Sequence, residues 1–235
     1  MQIIENSIVG TRSAVLRLRK RGGGPAIVIF PMLHVAEPQF YRDVEARLRE
    51  CDLLVVEGIH GDSTPVVEGL TMTYRVLPGN EEAGLVEDDI PYGDLGVPFV
   101  TPDLSAEQVQ EGLQALPWKT RALMWAAVPV ASVSNFFAGR RALLSPDIEV
   151  NDLPTRAEEL QPEAWDQFLD LLLDRRDDLA VAAVAEVVRD RPDDAIDIAV
   201  VYGARHVPGI LRGVYRLGYR VVSADWLMAV SAPAS

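Results

Sequence analysis

Short apolar runs recur along the chain, and each stops at a histidine, an acid or a glycine. Ser13–Arg19 alternates between two faces, with Ala14, Leu16 and Leu18 on one and Arg17 and Arg19 on the other. That is the pattern of a half-buried strand, and its place predicts a sheet edge. After the Arg21–Pro25 turn, Ala26–Phe30 is wholly apolar and rich in β-branched residues, as a buried parallel strand requires. It runs into Pro31-Met32-Leu33-His34. Pro38 then opens a helix reading Phe40, Val44, Ala46 and Leu48 on its apolar face. Leu53–Val56 is a second buried strand, ending at Glu57. Together these segments predict a β-α-β crossover.

The second half repeats the theme. Val97–Val100 predicts a third strand, weakened by Pro98, which offers no N–H to a ladder. It leads to Thr101-Pro102-Asp103 and to Ser105, a predicted N-cap for a helix over Ala106–Leu116. Trp118–Leu144 and Pro162–Arg189 predict helices, the latter with Trp165, Phe168, Leu172, Val181, Val184 and Val188 at helical spacing. Asp197–Tyr202 is another buried strand. Pro208–Leu217 predicts a helix stopped by Gly218, and Arg220–Ala224 a last strand. Thr64–Gly96 is rich in Gly, Pro and acid, with one helix expected near Val66–Val76. The order predicts a single α/β domain over residues 1–235. Its sheet is mostly parallel with helices on both faces, and a largely helical cap is inserted around 104–150.

The 235 residues carry 49% apolar and 24% charged side chains, which suits a sizeable core. The formal net charge of -13 argues against nucleic acid, whose backbone needs a basic face. A single cysteine, Cys51, permits no internal disulfide, and its place between a helix and a strand predicts burial rather than nucleophilicity. The first residues lack a basic start followed by an apolar core, so no signal peptide and a cytoplasmic location are expected. The apolar run from Ala122 to Ala138 is short and interrupted by Pro129, Ser132, Ser134 and Asn135. It predicts a buried helix rather than an integral membrane segment.

Chemistry enters at the strand ends. The three histidines, His34, His60 and His206, each come just after a predicted strand, and Glu57, Asp103 and Asp225 hold similar positions. The carboxyl ends of parallel strands share one edge, so these residues are candidates for one cluster. Imidazoles with carboxylates suit a divalent metal ion such as Mn, Co, Zn or Fe, which would activate water, and a free carboxylate suits a general base. The four tryptophans predict core or pocket wall.

Three blocks, in order, resemble the TraB/TIKI superfamily. Gly203-Ala204-Arg205-His206-Val207-Pro208-Gly209 looks like its G-x-x-H-x-x-G block. Pro31-Met32-Leu33-His34, a helix, and Leu53–Glu57 look like its N-terminal block. Asp174-Arg175-Arg176-Asp177 resembles its helical Arg-Asp/Asn motif. The resemblance covers the core and hardly touches Ile59–Asp152. It implies an EreA/ChaN-like fold, that of ChaN and erythromycin esterase, and a metal-dependent hydrolase of peptide, amide or ester bonds. His34, Glu57, Arg176 and His206 are then the catalytic set, and His34, Glu57 and His206 bind metal or activate water. Arg176 is expected to stabilise an oxyanion, to hold a substrate carboxylate, or to form a structural salt bridge. His60, Asp103 and Arg205 are candidate substrate contacts. Pro31 stands where the family has glycine, which removes an N–H and fixes φ. A small peptide or small molecule is the expected substrate, and a homodimer is left open. A protein that binds a small peptide or haem-like ligand in the same cleft, and a tailoring enzyme, are the alternatives.

Overall fold

The computed structural model describes residues 1–58, 84–122, 149–152 and 173–232. The elements arise from the apolar runs. The strands are β1 (Gln2–Ser7), β2 (Gly10–Lys20), β3 (Ala26–Met32), β4 (Val35–Ala36), β5 (Leu53–Val56), β6 (Val86–Glu87), β7 (Phe99–Val100), β8 (Val150–Asn151), β9 (Asp197–Gly203) and β10 (Tyr219–Ser231). The helices are α1 (Pro38–Leu48), α2 (Ala106–Ala115), α3 (Arg175–Asp190) and α4 (Val207–Arg216). This is a mixed α/β chain whose central sheet is parallel where the candidate residues lie. The order runs β7-β5-β9-β3-β2-β1-β8, with β10 also on β2. β7, β5, β9 and β3 are mutually parallel.

Burial explains the parallel part. Every residue of β3 is buried, and β9 is buried from Ile198 to Gly203. Strands covered on both faces read as continuous apolar runs. β9 inserts between β3 and β5, so Met32 lies beside Gly203 and Val56 beside Val201. The segments after all three strands therefore open at one edge. α1 packs Phe40, Tyr41, Val44 and Leu48 inward after Pro38 at its start. α2 begins at Ser105, the predicted N-cap, which also forms a capping box with Gln108. α3 and α4 lie close because Gly213 has no side chain, and a Cβ there would overlap Val181.

The antiparallel wing departs from the expectation. β2 is interior rather than an edge. β10 pairs with it from Lys20 to Gly10, while β3 and β1 divide its other side. β10 is 13 residues long, not five, and runs antiparallel. Asp225 consequently lies in mid-strand, 72% exposed and paired with Arg47 at 3.3 Å, away from the candidate cluster. Trp226 is partly exposed under the Arg12 guanidinium, and Trp118 is 69% exposed, so neither is core. Burial pushes the Cys51 thiol up to about 12, in keeping with a structural cysteine. Among the described residues no helix is long and apolar enough to cross a membrane. The expected helix at Val66–Val76, most of Trp118–Leu144 and the first part of Pro162–Arg189 lie outside the described residues, as do Trp125 and Trp165.

Candidate functional site

Four parallel strands deliver the residues beyond their ends to one edge: His34 after β3, Glu57 after β5, Asp103 shortly after β7, and His206 after β9. α3 adds Arg176 and Asp177 from its first turn, both buried.

Arg176 ties the group together. Its Nε donates to Asp103 Oδ1 at 2.7 Å and its Nη2 to Asp103 Oδ2 at 2.7 Å. The same Nη2 reaches Glu57 Oε1 at 2.7 Å. Asp103 has a side-chain exposure of 0% and also accepts the Gly58 and Leu104 N–H groups. It stands behind the guanidinium and holds it, rather than facing a ligand as the sequence suggested. Glu57 turns its other oxygen, Oε2, to the Gly203 N–H at 2.6 Å. Burial works against its charge, but His206, Arg176 and the Gly203 N–H hold its carboxyl below the ordinary range.

His206 is oriented from behind. Its Nδ1 donates to Asp177 Oδ1 at 2.7 Å, and its side chain is 6% exposed. Tyr202 sets its ring edge against the imidazole, with centroids 5.7 Å apart. The Nε2 atom faces two partners with opposite demands. Arg176 Nη1 at 3.3 Å asks for a lone pair, and Glu57 Oε1 at 3.4 Å asks for a proton. Burial by itself lowers the imidazole pKa. The hydrogen bonds to Asp177 and Glu57 and the Glu57 charge outweigh burial and the Arg176 repulsion, and raise it to about 9. The balance of these partners favours the imidazolium form of His206. Asp177 is raised by burial, with the His206 bond pulling the other way.

This arrangement has a pH signature. The folded pKa of His206, about 9, exceeds the unfolded value of 6.5. Its stabilising contribution is complete below pH 6.5 and is lost as pH rises through 9. In an NMR titration, Asp177→Asn is expected to bring the His206 pKa down by at least one unit while the fold persists. The same substitution flattens the fall of the urea midpoint between pH 6.5 and 9. A His206 pKa that does not move in this variant would deny Asp177 its role.

His34 is exposed, and its carbonyl accepts the Asp88 N–H at 3.0 Å. Arg205 is exposed beside buried His206. His60 lies outside the described residues. Pro31 is a buried β3 residue whose carbonyl accepts the Ser13 hydroxyl at 2.6 Å. Two participants are not singled out by the sequence. Asp177 follows Arg176 directly in the chain. Asp88 comes just after β6, and its carboxyl is raised to about 6 by burial and then by the charges of Glu57 and Asp89, against the Ile90 N–H. No periodicity signal points to it.

The donor types match a divalent metal. The Arg176 guanidinium donates to Glu57 Oε1 through Nη2 and approaches His206 Nε2 through Nη1, while those two acceptor atoms lie 3.4 Å apart. Among the described residues no three His, Cys, Asp or Glu side chains converge as ligands. The set as it stands is an internal ion network in which Nε2 of His206 faces Arg176 and Glu57. No family model, no curated protein and no solved structure matches this chain.

Proposed function

We propose that the chain is a hydrolase of acyl bonds, peptide, amide or ester, that uses its two strand-end histidines as an acid–base pair. The carrying observation is the buried Asp177–His206 pair at 2.7 Å, which fixes the ring with Nε2 toward Glu57 and Arg176. In this reading His206 Nε2–H is the general acid that protonates the leaving nitrogen or oxygen. His34 Nε2 is the general base that takes a proton from water. The water oxygen bonds to the acyl carbon, the bond to the leaving atom breaks, and both histidines exchange protons with solvent to reset. Glu57, held ionised, keeps His206 protonated. Arg176, engaged by Asp103 and Glu57, acts as the structural salt bridge among its expected roles.

The ordered TraB/TIKI-like blocks support this class of reaction and an EreA/ChaN-like fold with helices on both faces and a cap around 104–150. The metal-dependent form of the reading places Mn, Co, Zn or Fe among His34, Glu57 and His206 and requires the guanidinium to withdraw. Elemental analysis after loading and dialysis separates the two forms.

The reaction class is tested with p-nitrophenyl acetate and a fluorogenic peptide panel. His206→Gln is expected to lower turnover on the order of 10²-fold or more with the fold retained by circular dichroism, and His34→Gln similarly. Retention of a probe by wild type with no turnover would favour the ligand-binding alternative. Wild-type rates in both variants would end the acid–base reading.

A further inference from the structure

The opposite end of the sheet holds a cleft that the strand-end chemistry does not use. β3 begins at Ala26 and β9 at Asp197, so Pro25 and Pro192 lie just before the starts of parallel strands. With Lys20 and Tyr219, paired across β2 and β10, and with the last turns of α3, they line a cleft of about 320 Å³. That is the small end of the range for ligand clefts, roughly 300–1,000 Å³. Glycine lets its walls approach. Gly24 has a φ of +86°, and a Cβ there would overlap the Pro192 carbonyl. Ala185 and Val188 on α3, and Leu217 just after α4, supply an apolar lining. Two polar groups interrupt it. Tyr219 is 1% exposed, and among the described residues no hydrogen bond holds its hydroxyl. A buried phenol ordinarily finds a partner. Lys20 stands directly opposite Tyr219 in the β2–β10 ladder, so the two side chains share one face of the sheet. The Lys20 stem crosses Gly218, where a Cβ would come within 3.3 Å of Cε. Among the described residues no carboxylate pairs with its ammonium.

We propose that this cleft binds a small organic acid, with its carboxylate at the Tyr219 hydroxyl and the Lys20 ammonium and its apolar body along Ala185, Val188 and Leu217. The chemistry of the lining sets each part. A hydroxyl and an ammonium both donate, and a carboxylate only accepts, through two oxygens that can serve both donors. The ammonium makes its bond a charge-assisted one. Arg189, 71% exposed at the cleft, adds positive charge while meeting Asp190 at 3.4 Å. A neutral ligand with the same body would satisfy the hydroxyl and leave the charge unused. α3 and α4 both end at this side of the sheet, so Lys20 and Arg189 have a competing role as complements to the helix carbonyl ends. That role leaves the buried Tyr219 hydroxyl unexplained, and an acceptor on a ligand explains it. The cleft shares no residue with the strand-end cluster, so the inference stands apart from the hydrolytic reading.

Octanoate is the probe, with octanamide as its neutral counterpart. In an NMR titration of the full chain, octanoate is expected to shift the Gly23, Leu217 and Tyr219 amides saturably and to leave those of Glu57 and His206 unmoved. Tyr219→Phe and Lys20→Met are each expected to weaken binding about tenfold, the scale of a hydrogen bond to a charged group. Octanamide is expected to bind wild type more weakly than octanoate by a similar factor. Tyr219→Phe also gives a readout that needs no ligand. An unpaired buried hydroxyl costs stability, so the Tm of this variant is expected to equal or exceed that of wild type. Octanoate should then raise the wild-type Tm by more than it raises that of Tyr219→Phe. The absence of saturable shifts in wild type overturns the proposal. Equal affinity of octanoate for wild type and both variants overturns it too, as adsorption to the surface, and so do shifts confined to the His206 edge. A clear loss of Tm in Tyr219→Phe without ligand would show that the hydroxyl has its partner within the fold, and would overturn the proposal from the protein side.

Discussion

Arg176→Leu is expected to lower stability by about 3–5 kcal/mol, the usual cost of removing one partner from a buried ion pair. For a chain of this size that is a drop of roughly 6–20 °C in Tm. The magnitude comes from the charges the guanidinium leaves behind. Asp103 is fully enclosed and meets Arg176 through two bonds of 2.7 Å, and Glu57 receives a third at 2.7 Å. Without the cation, two carboxylates are left in the interior with only N–H donors and one imidazolium to hold them. Arg176→Lys is expected to recover little, because an ammonium cannot repeat the two-pronged bond to Asp103 while also reaching Glu57. Arg176→Leu with Asp103→Leu is expected to recover part of the loss, since the most deeply buried charge has gone too. Removing Arg176 also takes away a positive neighbour that opposes protonation of His206, so the His206 pKa should rise above its wild-type value of about 9. Urea unfolding with an NMR titration checks both. A loss below about 1 kcal/mol would mean that the network behaves like an exposed one, screened by water.

The clustering of these residues was legible in the sequence because buried parallel strands are apolar from end to end. Ala26–Phe30, Leu53–Val56 and Asp197–Tyr202 each announce where they stop, and the residues just beyond parallel strands lie at a common edge. The order of the strands was not legible. Nothing in the periodicity says that β9 runs between β3 and β5, yet this insertion sets Gly203 between Glu57 and His34. The partner of His206 was hidden for a different reason. Arg176 and Asp177 are consecutive, and neighbours on a helix point about 100° apart. Sequence alone gives no reason for both to be buried, and both are, one toward Asp103 and Glu57 and the other toward His206. The last strand misled through its surface. Val222 to Trp226 is exposed, so its residues carry no burial alternation that would mark a strand continuing to Ser231. Asp103 misled in the opposite direction, because a strand-end acid before a helix reads as a ligand contact or a cap and gives no sign of the arginine that encloses it.

Gly209→Ala is expected to cut turnover on the order of 10²–10⁴-fold, the scale set by losing the carboxylate that orients a catalytic histidine. The cause is steric and local. Gly209 lies in the first turn of α4, and a Cβ there would overlap Asp177 Oδ2 and come within 2.8 Å of its Cγ. Asp177 is itself held on α3, whose contact with α4 leaves little room, so the carboxylate must rotate away from His206 Nδ1 or the two helices must part. The first response costs the hydrogen bond at 2.7 Å. The second opens a packed interface at about 1–3 kcal/mol. Either way the His206 pKa is expected to fall by at least one unit. Gly209→Ala combined with Asp177→Ala relieves the overlap. It should regain stability relative to Gly209→Ala alone without regaining turnover or the raised pKa, because room has returned and the carboxylate has not. A Gly209→Ala variant with wild-type His206 titration would show that Asp177 tolerates the methyl group. The close approach of α4 would then be a matter of packing alone, with the orientation of His206 set by Glu57 and Tyr202.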